Sequence, residues 1–197
     1  MDNIEKQQLI DEIKKTFHIT YDIKNKYFKD MNFIKIRDWL EANGIDRHIT
    51  IDMKSAGVIF VVKNNYNDKI LLQIRATEVN PRIGVFGGGI ENSESPEDTI
   101  KRELKEEMNF CVSKNELKFL EVVEHDLKYK NGDKAHYQAS VYTLELKEFP
   151  TIKLDDESNG IIAISKENYN NFINIENPKY LQIEKFWEKT IEKIFKI

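Results

Sequence analysis

Residues 87–110, GGGIENSESPEDTIKRELKEEMNF, constrain this chain more than any other stretch. Three successive glycines, Gly87-Gly88-Gly89, allow backbone to approach a neighbour or a ligand closely. A helix start follows: Ser95 suits the N-cap, Pro96 the first turn, and Asp98 completes a capping-box-like pair three residues on. Along that helix Glu103, Glu106 and Glu107 stand at relative positions zero, three and four, which places them on one face with roughly 5–6 Å between neighbouring Cβ atoms. Like charges at that spacing repel, so the face is either a solvated surface paired with the lysines of KRELKEEM or a seat for a cation. Hard divalent cations suit carboxylate oxygens and bridge substrate phosphates. Metal beside phosphate is the chemistry the segment suggests.

The rest of the chain supplies strands and helices around it. Leu9, Ile10, Ile13 and Phe17 recur at helical spacing, as do Ile36, Trp39 and Leu40, with Gly44 as a stop signal. These predict a helical extension over residues 1–50 ahead of a main domain over 51–197. Residues 56–63 and 69–75 read as strands rich in β-branched residues, joined by NNYND. A loop over 76–86 leads to the glycines. Residues 117–125 and 135–146 flank YKNGDK, the clearest hairpin signal, and 160–165 is a further short strand. The tail places Leu181, Phe186, Trp187, Ile191 and Ile194 on one helical face. The fold class is α/β.

Composition narrows the function. A net charge of −4 argues against a surface built for nucleic-acid polymers. The single cysteine, Cys111, allows no internal disulfide and suits a reducing cytoplasm; a small buried residue is its expected role. No run reaches the ~18 apolar residues of a membrane span, and the start MDNIEKQQLIDEIKK lacks a signal-peptide pattern. The four histidines show no zinc spacing. His125 and His136 flank the hairpin and could meet across it.

Gly88, Glu94, Arg102, Glu103, Leu104, Glu106 and Glu107 match, at the correct spacing, the signature of the Nudix hydrolases. That signature is a glycine, five residues, a glutamate, seven residues, then Arg-Glu-aliphatic-X-Glu-Glu-X-Gly-aliphatic. The segment resembles this box at all but two positions: Asn109 stands where the family has glycine, and Phe110 fills the final apolar site. Asparagine is the best non-glycine residue for a left-handed helix cap, so the first departure costs little. The resemblance implies an α/β/α sandwich of Nudix type carrying an N-terminal helical extension.

It also implies roles. Glu106 and Glu107 would ligate Mg²⁺ or Mn²⁺, with the carbonyl of Gly87 as a further ligand, and Glu103 would bind metal or assist deprotonation of water. Glu94 and Arg102 would form a structural ion pair, Arg102 also orienting the nearby carboxylates for catalysis. Gly88 and Gly89 border the substrate, and Arg75, closing the strand KILLQIR, would contact phosphate. In the cluster Asp155-Asp156-Glu157 the best offset for an extra metal ligand is that of Glu157, with Asp156 the alternative. Glu91 is a further candidate ligand, and Tyr129, Tyr137 and Asn177 are candidate base contacts.

The reaction implied is metal-dependent hydrolysis of a nucleoside diphosphate linked to another moiety. The proline that marks ADP-ribose-type relatives about fifteen residues past the box is absent, since Glu124, His125 and Asp126 stand there. Similarity of residues 157–178 to MutT-type members points to a nucleoside triphosphate, damaged ones included, giving nucleoside monophosphate and pyrophosphate. Nucleotide sugars and dinucleoside polyphosphates are the alternatives. A non-catalytic nucleotide-binding regulator is disfavoured because all the box carboxylates are present. Phe33, Ile36, Trp39 and Leu40 form an apolar stripe that predicts burial of the extension, either on the main domain or across a homodimer interface, with covering of the substrate base as the lesser alternative.

Overall fold

The computed structural model describes residues 1–29, 31–64, 67–75, 82–91, 94–129, 131–154, 158–174, 176 and 181–197. The elements are α1 (Asn3–Thr16), β1 (His18–Ile19), α2 (Tyr21–Tyr27), α3 (Phe33–Ala42), β2 (Thr50–Val62), β3 (Lys69–Arg75), β4 (Ile83–Gly84), β5 (Phe86–Gly89), α4 (Pro96–Met108), β6 (Leu117–Lys128), β7 (Lys134–Leu146), β8 (Ser158–Ser165), α5 (Asn170–Ile173) and α6 (Glu188–Phe195). The strands form one mixed sheet ordered β4-β3-β2-β7-β6, with β1 and β5 also on β2 and β8 on β3.

Strand β2 organises this sheet. One edge pairs in parallel with β7 throughout, from Thr50↔Lys134 to Val62↔Leu146. The other edge serves three strands in turn: β1 at Thr50–Ile51, β5 at Ser55–Val58 and β3 at Phe60–Val62. Alternate side chains of a strand leave opposite faces, and β2 uses both. Val58, Phe60 and Val62 join Ile100, Leu104 and Met108 of α4 in one core. Ile59 and Val61 join Tyr169, Phe172, Ile191 and Phe195 in the other. Helix, sheet and helix therefore form three layers.

Helix α4 begins and ends on local signals. The Ser95 hydroxyl accepts from Asp98 N at 3.2 Å, and Pro96 occupies the first turn. Asn109 caps the far end at φ 51°, ψ 31°, in the left-handed region, while Phe110 N donates back to the Leu104 carbonyl at 2.9 Å. Tyr142 of β7 donates to the Glu97 carboxylate at 2.7 Å and pins the first turn to the sheet. That hydrogen bond holds Glu97 below the usual carboxylate range, and burial with the same bond pushes Tyr142 up to about 12.

The extension packs on its own chain. Leu9, Ile10, Ile13, Phe28, Phe33, Ile36 and Leu40 form a third cluster with Ile51 of β2 and Ala135 of β7. Asp133, 1% exposed, accepts from Ile49 N at 2.9 Å and lies 3.6 Å from the Arg37 guanidinium. Arg37 also donates to the carbonyls of Arg47 and Ile45. These contacts tie α3 to the hairpin turn between β6 and β7.

Several expectations change. Strand β2 starts at Thr50 rather than residue 56 because the parallel register with β7 extends to that point. The stretch read as a loop contains strand β4 at Ile83–Gly84, and the three glycines continue in strand β5. Helix α2 is an additional element whose seven residues give too short a repeat to register as periodic. In the tail, Leu181 precedes the helix, and Lys185–Trp187 form a 3-10 turn before α6. Cys111 is exposed rather than buried, since the chain has already left α4 at Asn109.

Two substitutions test the docking of the extension. Ile36→Ala, at a fully buried site, should cost about 2–5 kcal/mol. Asp133→Ala, which leaves the buried Ile49 amide without its acceptor while Arg37 keeps Glu41 and two carbonyls, should cost about 1–3 kcal/mol. Urea unfolding curves check both, and an unchanged midpoint in either variant contradicts the packing described.

Candidate active site at the glycine strand

Strand β5 can lie where it does only because Gly87 and Gly88 lack a Cβ. Gly87 pairs with Gly57 across β2 and β5. Gly87 sits at φ +132°, and a Cβ there would run into the Ala56 carbonyl. At Gly57 a Cβ would meet the Val85 side chain at 2.5 Å. At Gly88 the obstacle is the carboxylate of Glu103, which rests directly on the strand.

Above that strand Arg102 is the hub. Its Nε donates to Glu94 Oε1 at 3.0 Å and its Nη2 to Glu94 Oε2 at 3.2 Å. Nη2 also donates to the Gly89 carbonyl at 3.0 Å, tying helix to strand. Nη1 donates to Glu103 Oε1 at 2.7 Å and to Glu106 Oε2 at 3.2 Å. A planar guanidinium fork makes such multidentate carboxylate contacts where an ammonium does not. Burial opposes the charge on Arg102, but the bond to Glu94 and the field of Glu103 outweigh it and push the guanidinium up. Reciprocally, Arg102 holds Glu94 below the usual carboxylate range. Thr99 Oγ1 and Glu91 N also donate to Glu94, at 2.9 and 3.3 Å.

The three helix glutamates share a face but not an environment. Glu107 is 6% exposed, the Glu103 side chain 14% and that of Glu106 61%. Among the described residues no three His, Cys, Asp or Glu side chains converge at metal-binding distance. Arg102 accounts for part of this by holding Glu103 and Glu106. The donor set still suits a hard cation: it consists of carboxylate oxygens one helical turn apart, above a strand whose missing Cβ at Gly88 leaves room for Glu103. Asp155, Asp156, Glu157 and Asn177 lie outside the described residues.

A cleft of about 440 Å³ opens along β5. Gly87, Gly88, Gly89 and Glu91 line one side. At one end His125 stacks on Phe186 at 3.8 Å and 4°, and on Tyr137 at 5.2 Å and 7°. Burial holds His125 below the usual histidine range, against the pull of Asp126. Its Nδ1 is buried with no hydrogen-bond partner among the described residues, so a proton there would have nowhere to donate. His125 and His136 do not pair: His136 meets Asp126 at 2.8 Å. Arg75 also lines the cleft and lies over Gly84 beside Glu184, its Nε likewise buried without a partner among the described residues. Tyr129 instead stacks on Phe33 at 3.8 Å, inside the extension's cluster. Sequence reasoning missed Phe186 as a cleft residue and missed Lys24, Lys29 and Lys54, which border the same space. The lysine-rich stretch KNKYFK, residues 24–29 of an acidic chain, was the available signal.

A family model described as NUDIX domain matches residues 53–181. A comparison with curated proteins returns no match. Among solved structures, the E. coli dihydroneopterin triphosphate pyrophosphohydrolase is 17% identical at a TM-score of 0.54, over 72% of this chain and 94% of that one. A C. elegans Ap4A hydrolase in a binary complex is 16% identical at 0.51, over 74% and 99%. A bifunctional NMN adenylyltransferase/ADP ribose pyrophosphatase from Francisella tularensis, complexed with AMP and a Mn ion, is 20% identical at 0.51, over 82% and 46%. This chain thus matches less than half the length of the last protein. At such identities the likeness is one of fold.

Two outcomes follow from the geometry. Gly88→Ala should displace Glu103 and reduce turnover about 100-fold, the cost of roughly 1 Å of misplacement, with circular dichroism unchanged; near-normal turnover contradicts the packing. The His125 imidazole should titrate below an exposed histidine and below His136, which its hydrogen bond to Asp126 raises, and Phe186→Ala should move it upward. Because the unfolded chain takes up the His125 proton first, this group's contribution to stability is lost as pH falls from the ordinary histidine range towards the folded value. NMR titration of the histidine ring protons reads both.

Proposed function

The chain belongs to the Nudix family of pyrophosphohydrolases, and we propose that it hydrolyses a nucleoside triphosphate to nucleoside monophosphate and pyrophosphate. The observation that carries this reading is Arg102 gathering Glu94, Glu103 and Glu106 over a glycine strand that borders a cleft with an aromatic end. The base would stack at the end formed by His125, Phe186 and Tyr137. The phosphates would lie along Gly87, Gly88 and Gly89, with Arg75 as a guanidinium contact.

Glu103, Glu106, Glu107 and the Gly87 carbonyl would hold Mg²⁺ or Mn²⁺. Bound there, the cation would polarise the phosphoryl oxygens and lower the pKa of the attacking water. The protein's own share is placement and proton handling. Arg102 holds Glu103 against the strand and keeps Glu94 ionised, so the loop before α4 retains its shape. Glu103, partly buried against Gly88, would bind metal or assist in taking the proton from water. Glu106 presents the most exposed carboxylate and Glu107 the most buried. We assign Glu157 as a further ligand on its offset in the sequence alone.

The cationic residues beside the cleft favour a substrate with several phosphates over a nucleotide sugar whose second moiety is neutral. Among the described residues no helix is long and apolar enough to cross a membrane. We place the enzyme in the cytoplasm, where a lone exposed thiol stays reduced.

Glu107→Gln should cut turnover by orders of magnitude without altering the melting curve by more than a few degrees. EDTA should abolish wild-type activity, and Mg²⁺ should restore it. In ¹⁸O-water the label should appear on a phosphorus of one product. A well-folded Glu107→Gln protein with normal turnover, or activity unaffected by EDTA, overturns the reading.

A further inference from the structure

Part of the cleft lining does not come from the hydrolase core. Lys24 and Asn25 of α2, with Lys29 and Met31 beyond it, line the same space as Gly87, Gly88 and Gly89. The chain carries a net charge of −4, yet among the described residues this space is bordered by Lys24, Lys29, Lys54 and Arg75 against two carboxylates, Glu91 and Glu184. Such a reversal of sign beside a glycine strand attracts anions.

Lys54 links the two parts. It lies in β2, next to Ser55, whose register partner is Gly89, and its carbonyl accepts from Ile90 N at 3.0 Å. Its Nζ sits over the ring of Tyr21, the first residue of α2, 4.1 Å from the centroid. A ring face attracts an ammonium, so α2 restrains a lysine of the catalytic sheet. Helix α2 is in turn held down through Ile23 and Tyr27, which pack against the buried cluster containing Ile51 and Ala135.

We propose that residues 21–29 and 31 of the extension form a wall of the substrate site, and that Lys29 and Lys54 bind the anionic group beyond the bond that is cleaved. The substrate class is then a nucleotide with a polyanionic tail: three or more phosphates, or a second moiety that is itself phosphorylated. This rests on the hydrolase reading above. It adds that the extension selects the substrate by charge, with Tyr21 as a positioning residue acting through Lys54.

Calorimetric titration with AMP, ADP and α,β-methylene-ATP, each with Mg²⁺, tests it on the full chain. Wild-type affinity should rise at each added phosphate. The Lys29→Ala/Lys54→Ala variant should lose at least tenfold for α,β-methylene-ATP while AMP binding stays within twofold. Lys29→Arg/Lys54→Arg should retain most of the rise, and Tyr21→Leu should show a smaller loss of the same pattern. Equal losses for all three nucleotides, no loss for any, or no wild-type binding of any overturns the proposal. Assay of the wild type against hydrolysable triphosphates separates the two readings. Turnover with no lysine-dependent rise leaves the reaction standing and removes the wall. A lysine-dependent rise with no turnover does the reverse.

Discussion

Pairing along both edges of β2 is the constraint from which the rest of this structure follows. Its partnership with β7 runs unbroken from Thr50 to Val62, and its other edge is shared by β1, β5 and β3 in sequence. A single strand therefore connects the extension, the glycine strand and β3, the antiparallel partner of β8. Because its side chains alternate between faces, it also supplies both cores. Slipping the register by one residue would exchange the two faces and lift Gly57 from opposite Gly87. The close approach of β5 depends on that glycine pair.

On this frame the site is an electrostatic compromise centred on Arg102. Three glutamates on one helix face would repel, and Glu107 is buried as well. Arg102 meets the charge of Glu103 and Glu106 while spending its remaining donors on Glu94 and the Gly89 carbonyl. The same side chain thus keeps the acids together and fixes the loop that precedes them. A lysine could not do both, since its ammonium is a point charge without a fork.

The cleft joins regions far apart in sequence. It is lined by His125 of β6, Tyr137 of β7 and Phe186 of the tail, by the glycines of β5, and by Lys24, Lys29 and Met31 of the extension. The extension is consequently more than a packed appendage. Its apolar stripe secures it to β2 and β7, and that attachment brings lysines of residues 24–29 alongside the glycines.

What the sequence determined by itself is local. The spacing of Gly88, Glu94, Arg102, Glu103, Glu106 and Glu107 was legible because helical periodicity and capping act within a few residues, as Ser95, Pro96 and Asn109 show. The strands of the hairpin and the burial of Ile36 and Leu40 were readable for the same reason: alternation and helical repeats report which side chains avoid water. The tertiary structure decided what spacing cannot encode. It distinguished three equivalent glutamates as buried, partly buried and exposed, drew the glycines into a strand through pairing with β2, and set His125 against Phe186 and Tyr137 rather than beside His136. It also delivered Lys29 and Lys54 to one cleft across twenty-five positions of chain. Each of these depends on contacts between residues distant in sequence, whose partners are selected by sheet register and layer packing, and a one-dimensional pattern carries no record of that selection.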